Sequence, residues 1–129
     1  MNMENQTVSA QELAEFCVKT ADERKAGNIV MLNVGDVTFI ADYFVICSAG
    51  STVQIAAVQS NIERSVRESF KLRPLSVEGD PISGWVLIDF GMVIVHIMTE
   101  EKRDRYQIEK LWGDAAARQE LDRVRPTES

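Results

Sequence analysis

An apolar strand that runs straight into a small-residue turn and a helix start constrains this chain more than any other feature. The stretch Ala41-Asp42-Tyr43-Phe44-Val45-Ile46-Cys47-Ser48-Ala49-Gly50-Ser51-Thr52 has that layout. It builds a corner where the amides of a helix N-terminus meet the end of a strand, an arrangement suited to phosphates or catalytic groups. The polar chemistry such a corner needs is missing downstream. No Asp follows Gly50-Ser51 until Asp80, and no Asp-x-Asp pair occurs in the chain. Metal-dependent group transfer lacks its carboxylate ligands. The expectation is a site-building fold that is not an enzyme, with no catalytic residue, no cofactor and no metal.

The elements around this corner follow from periodicity. Ser9-Ala10-Gln11-Glu12 is a capping box, and Leu13, Phe16, Cys17, Thr20 and Ala21 then keep helical spacing, with Gly27 as the expected stop. Residues Asn28 to Val34 and Tyr43 to Ser48 read as strands. Ser51-Thr52-Val53-Gln54 opens a long helix with the stripe Ile55, Val58, Ile62, Val66 and Phe70, ended by Pro74. A short strand at Ser76 to Glu78 and a Gly79-Asp80-Pro81 loop precede two strong strands, Trp85 to Phe90 and Val93 to Met98. Thr99 caps a last helix with Glu100 and Glu101 in its first turn. The order predicts an α/β fold, a mixed β-sheet with flanking helices. Residues 1–8 are expected to be a flexible N-terminus, 9–114 a single α/β domain, and 115–129 a polar C-terminal tail.

At 129 residues, one domain can bury a core without a staple. Cys17 and Cys47 lie in apolar segments and read as reduced, packed thiols. One histidine and no paired Cys motif argue against structural zinc. No apolar run reaches the roughly 20 residues of a membrane span, and Met1 to Gln6 has no signal-peptide pattern, which points to the cytoplasm and to no membrane. The net charge of −6 disfavours phosphate backbones, so no direct sequence-specific nucleic-acid contact is expected and a basic protein is the better partner.

The hairpin carries the strongest register argument. With Gly91-Met92 as a two-residue II′ turn, Phe90 pairs with Val93, Asp89 with Ile94, Leu87 with His96 and Trp85 with Met98. One face is then wholly apolar: Val86, Ile88, Phe90, Val93, Val95 and Ile97. The other carries Trp85, Leu87, Asp89, Ile94, His96 and Met98. That mixed face has two readings, a second layer half-buried under a helix or an open face that docks a protein. On the last helix, Ile108, Leu111 and Trp112 suit a buried stripe, while Arg103 and Tyr106 share a face three residues apart.

Four blocks in order give these residues a family likeness. They are Ala41 to Ser48, Val77-Glu78-Gly79, Trp85 to Gly91 with Val93-Ile94-Val95-His96, and Arg103 with Tyr106 to Trp112. Together they resemble the ribosomal silencing factor family, RsfS, also called the Iojap family, over roughly Leu13 to Asp114. The chain departs from that pattern at Ala49-Gly50, where the glycine is shifted, and at Met92, which replaces an acid in the hairpin turn. The resemblance implies a nucleotidyltransferase-like fold without its catalytic carboxylates. It implies a factor that binds the large ribosomal subunit through the ribosomal protein uL-fourteen, blocks joining of the small subunit by steric occlusion, and represses translation when nutrients are scarce. The motif blocks and the hairpin geometry together single out Trp85, Asp89, His96, Tyr43, Arg103 and Tyr106 as partner-binding residues. Two alternatives stand beside this reading: a nucleotide-binding or nucleotidyltransferase-like regulator working through Ser48 to Ser51, and a homodimer formed through the Trp85 face.

Overall fold

The structure, a computed structural model, describes residues 8–113. The expected polar tail and all but the last residue of the expected flexible N-terminus lie outside the described residues. Val8, at the end of that N-terminal segment, is buried in the core. In chain order the elements are α1 (Ala10–Glu23), β1 (Gly27–Asn33), β2 (Tyr43–Ser48), α2 (Thr52–Phe70), β3 (Ser76–Asp80), a 3₁₀ turn at Pro81–Ser83, β4 (Trp85–Asp89), β5 (Val93–Met98) and α3 (Glu100–Tyr106). The strands form one five-stranded mixed sheet in the order β1-β2-β5-β4-β3. Only the β2–β5 pair is parallel, and α2, β3 and β4 make up the long crossover between those two strands.

Local sequence explains the boundaries. The Ser9 hydroxyl accepts from the Glu12 amide at 3.0 Å and the Glu12 carboxylate accepts from the Ser9 amide at 3.1 Å, closing the expected capping box. Gly27 does not end α1. The helix closes at Arg24, Lys25 turns the chain with φ +66°, and Gly27 is the first residue of β1. The α2 cap is half of the expected box. The Ser51 hydroxyl accepts from the Gln54 amide, but the Gln54 side chain reaches past Ser51 to the Gly50 amide. The helix ends at Lys71, which is left-handed at φ +60°, three residues before Pro74.

The hairpin register is the expected one, with Trp85 opposite Met98, Leu87 opposite His96 and Asp89 opposite Ile94. Gly91 takes φ +92°, and the Asp89 carboxylate accepts from its amide at 2.7 Å. The positive φ is the one a II′ turn needs at its first position, which glycine adopts without a steric penalty.

Both long helices cover the apolar face. Leu13, Cys17 and Ala21 of α1 and Ile55, Val58, Ile62 and Val66 of α2 pack on Val45, Cys47, Val86, Ile88, Val93, Val95 and Ile97. Each fully buried Ile or Val contributes roughly 1.5–3 kcal/mol against leaving it in water. Phe16 meets Phe70 edge-on at 4.9 Å where the helices close over the sheet. Asn61, inside the α2 stripe, is also buried and ties the helices together, donating to the Thr20 carbonyl at 3.0 Å and to Glu23 at 3.1 Å.

The mixed face is layered over half its width. Phe44, Ile46, Ile94 and Met98 form a second cluster with Val34 and Ala41, covered by Ile108 and Trp112. α3 stops at Tyr106 because Gln107 is left-handed (φ +47°), and the chain becomes helical again over residues 108–113. That break turns Leu111 outward. It is 66% exposed, whereas the sequence stripe placed it in the core. Over β4 and β3 the cover ends, so the layered arrangement holds for one half of the sheet and the other half is open.

Candidate functional site

The uncovered half centres on Trp85. Its indole is held from two sides. The Trp85 Nε1–H donates to His96 Nδ1 at 3.1 Å, and the Tyr106 ring lies 5.0 Å away at 45°. His96 continues the aromatic run inward, 5.4 Å from Phe44, which meets Trp112 at 5.3 Å. Such tilted and edge-on arrangements suit the ring quadrupoles. Beside Trp85, residues Glu78, Gly79, Ser83, Leu87 and Lys102 line an open groove of about 400 Å³. Strand register puts Ser76, Glu78 and Asp80 on the same face as Asp89, Leu87 and Trp85. The groove therefore has an apolar floor, acids on the β3 side and one lysine on the α3 side. Tyr106, whose ring lies beside that of Trp85, and Ile82, next to Ser83 in the chain, are exposed.

His96 is buried, and burial pushes its pKa down to about 4. It is a neutral imidazole near pH 7, with Nδ1 as the acceptor and the proton on Nε2. It therefore offers no surface to a partner and instead fixes the indole of Trp85. Asp89 is half-buried on the groove face, with one carboxylate oxygen committed to the Gly91 amide.

Arg103 is 5% exposed and spends its guanidinium inside the chain. Nε and Nη2 hold the Glu109 carboxylate as a bidentate pair, Nη1 donates to the Ser48 hydroxyl at 2.6 Å and to the Gly27 carbonyl at 3.5 Å, and Nη2 donates to the Asn28 carbonyl at 2.6 Å. All five N–H groups are used. Asn28, left-handed at φ +47°, also donates its side-chain amide to Glu100 at 3.0 Å. Arg103 thus fastens α3 to the ends of β1 and β2 and holds the helix break at Gln107 shut.

Tyr43 does not join the other residues. It registers with Val93 in the parallel pair and packs on the face covered by α1 and α2, opposite Trp85. Of the six residues picked out in the sequence, Trp85, His96 and Tyr106 form one cluster. Asp89 shares their face, Arg103 supports the α3 side from within, and Tyr43 lies across the sheet. Glu78, Leu87 and Lys102 complete the groove. The alternation of Glu78 and Asp80 beside β4 was the available signal for the acids.

The corner after β2 is filled by the chain itself. The Ala49 amide donates to the Met98 carbonyl at 2.9 Å, the Gly50 amide to Gln54 Oε1 at 2.6 Å, the Gln54 amide to Ser51 Oγ, and Gln54 Nε2 to the carbonyls of Arg24 and Lys25. Three of the amides a phosphate could use, those of Ala49, Gly50 and Gln54, already have partners. Burial raises the Cys47 thiol to about 12, against a smaller lowering by Arg103, and raises Cys17 likewise. Neither is a reactive thiolate near neutral pH. Among the described residues no group of three or more His, Cys, Asp or Glu could hold a metal, and no helix is long and apolar enough to cross a membrane.

Comparison with known proteins places this geometry in a family. The family described as "Ribosomal silencing factor during starvation" matches residues 7–129. The ribosomal silencing factor RsfS of Halalkalibacterium halodurans is 38% identical over 108 residues, covering 84% of this chain and 92% of that protein. A mouse protein named for mitochondrial assembly of the large ribosomal subunit is 30% identical over 101 residues, covering 76% of this chain and 44% of its own length. A crystal structure of a Chromobacterium violaceum protein superposes with a TM-score of 0.78 at 27% identity, covering 82% of this chain and 88% of that one. The chain is a member of the ribosomal silencing factor family, RsfS/Iojap.

Proposed function

We propose that this protein represses translation by binding the large ribosomal subunit through the ribosomal protein uL-fourteen, so that the small subunit is sterically kept from joining, and that it does so in the cytoplasm when nutrients are scarce. The mechanism is occlusion and involves no covalent step. Family membership supports the ribosomal role, and the observation that carries the docking site is the uncovered Trp85 half of the sheet's mixed face. A half-buried tryptophan held by His96 and Tyr106 is a pre-ordered anchor, and anchors of that kind dominate binding energy. Trp85 and Tyr106 make the contact, and Glu78, Asp80 and Asp89 supply negative charge to a basic partner. His96 and Arg103 hold the site in shape from beneath, and Tyr43 supports the sheet from the other face.

The test is co-sedimentation of the purified protein with isolated large and small ribosomal subunits at two salt concentrations. Selective pelleting with the large subunit is expected, weaker at high salt because surface charges are screened. Trp85→Ala and Tyr106→Ala should each weaken it, the former by about 2 kcal/mol or more, roughly 30-fold in Kd. Undiminished affinity in both folded variants would remove the site from this surface. The nucleotide-binding alternative has less support, since Gln54 already occupies the corner it would use.

A further inference from the structure

The groove continues onto an edge whose backbone has pairing capacity to spare. β3 is terminal in the sheet, with β4 on one side and no described strand on the other. All five of its residues are exposed, so among the described residues no side chain or loop blankets it. Edge strands are usually shielded by lysine, proline or a covering element, because an open ladder recruits another strand. Ser76-Val77-Glu78-Gly79-Asp80 has no lysine or proline and carries acids instead.

Those acids make the edge selective. Ser76, Glu78 and Asp80 point to the groove face, whereas Val77, 40% exposed, points to the opposite face with Gly79. A second β3 laid alongside would set one acidic row against another, and like charges directly opposite destabilise a ladder. A strand with Lys or Arg at alternate positions would meet Glu78 and Asp80 in opposite-charge pairs and put its intervening residues over Val77.

We propose that β3 takes up an extended segment of a basic protein as a sixth strand, with basic side chains paired to Glu78 and Asp80 and apolar ones packed beside Val77. This rests on the groove being the ribosome-facing site and adds the mode of recognition. Backbone pairing supplies affinity and register, the alternate side chains supply selectivity, and Trp85 anchors the segment's groove side.

The experiment is amide hydrogen exchange of the full chain, alone and saturated with isolated large ribosomal subunits, with co-sedimentation run in parallel. Amides of Ser76–Asp80 that exchange freely in the free protein should slow by more than about ten-fold in the complex, because strand pairing protects them. Glu78→Lys should weaken co-sedimentation roughly ten-fold without moving the melting temperature, and Glu78→Gln should fall between it and the parent. Full co-sedimentation with unchanged exchange in β3 would overturn strand addition and leave the groove reading standing. Protection of β3 that appears only as the free protein is concentrated would overturn it in favour of a second copy. Loss of co-sedimentation in the parent protein would overturn the groove reading itself.

Discussion

Replacing Arg103 by Met distinguishes a structural fastening from a docking contact. Methionine keeps much of the apolar stem and removes all five donors. The Ser48 hydroxyl, itself buried, and the carbonyls of Gly27 and Asn28 then lose their donor, and Glu109 loses its counter-ion. Breaking a buried ion pair by deleting one partner costs roughly 3–5 kcal/mol. Glu109 is 35% exposed, so water screens its share and the lower end, about 3 kcal/mol, is the expected loss. For a domain near 100 residues that is a melting-temperature drop of roughly 10–20 °C. Arg103→Lys should recover only part of the loss, because an ammonium cannot reproduce the planar fork. Urea and thermal unfolding read this directly. A melting temperature within about 3 °C of the parent, together with lost binding to the large subunit, would refute the reasoning and make Arg103 a contact residue.

Other perturbations test separate parts of the account. Gly79 has φ +75°, and a Cβ there would overlap the Trp85 carbonyl oxygen, so Gly79→Ala should distort the β3–β4 pair and cost more than about 2 kcal/mol in urea unfolding. Burial holds the folded-state pKa of His96 at about 4, below its ordinary 6.5. The unfolded chain takes up that proton first, so stability is fully present above about pH 6.5 and is lost as pH falls toward 4, by roughly 3 kcal/mol. His96→Asn, which keeps an acceptor for the Trp85 indole, should flatten that part of the pH–stability curve. Cys17 and Cys47 should resist alkylation at pH 8 in the folded protein and react on unfolding, since burial raises both thiols to about 12.

Much of the fold was legible because it is written in local rules. Alternation fixed the two faces of the β4–β5 hairpin, and hydroxyl caps at Ser9, Ser51 and Thr99 marked the helix starts. What local rules do not encode is which faces end up together. Tyr43 and Phe44 necessarily point to opposite faces, but which of them joins Trp85 depends on the parallel β2–β5 pairing across a long crossover. Arg103 on a short polar helix reads as a contact residue, and its burial depends on the distant ends of β1 and β2 and on the return of Glu109 after the turn at Gln107. No glycine announces that turn. Asn61 sits in an apolar stripe where its polarity looks incidental, and its role depends on a helix 41 residues earlier in the chain.

Occlusion requires that the bound protein keep the two subunits apart. The most direct measurement is sucrose-gradient analysis of purified subunits mixed in joining buffer, with the protein added before the small subunit. The parent protein should lower the joined fraction and stay with the free large subunit, and Trp85→Ala, folded but weakly bound, should restore joining. Joined ribosomes that carry the protein, at an undiminished joined fraction, would contradict it.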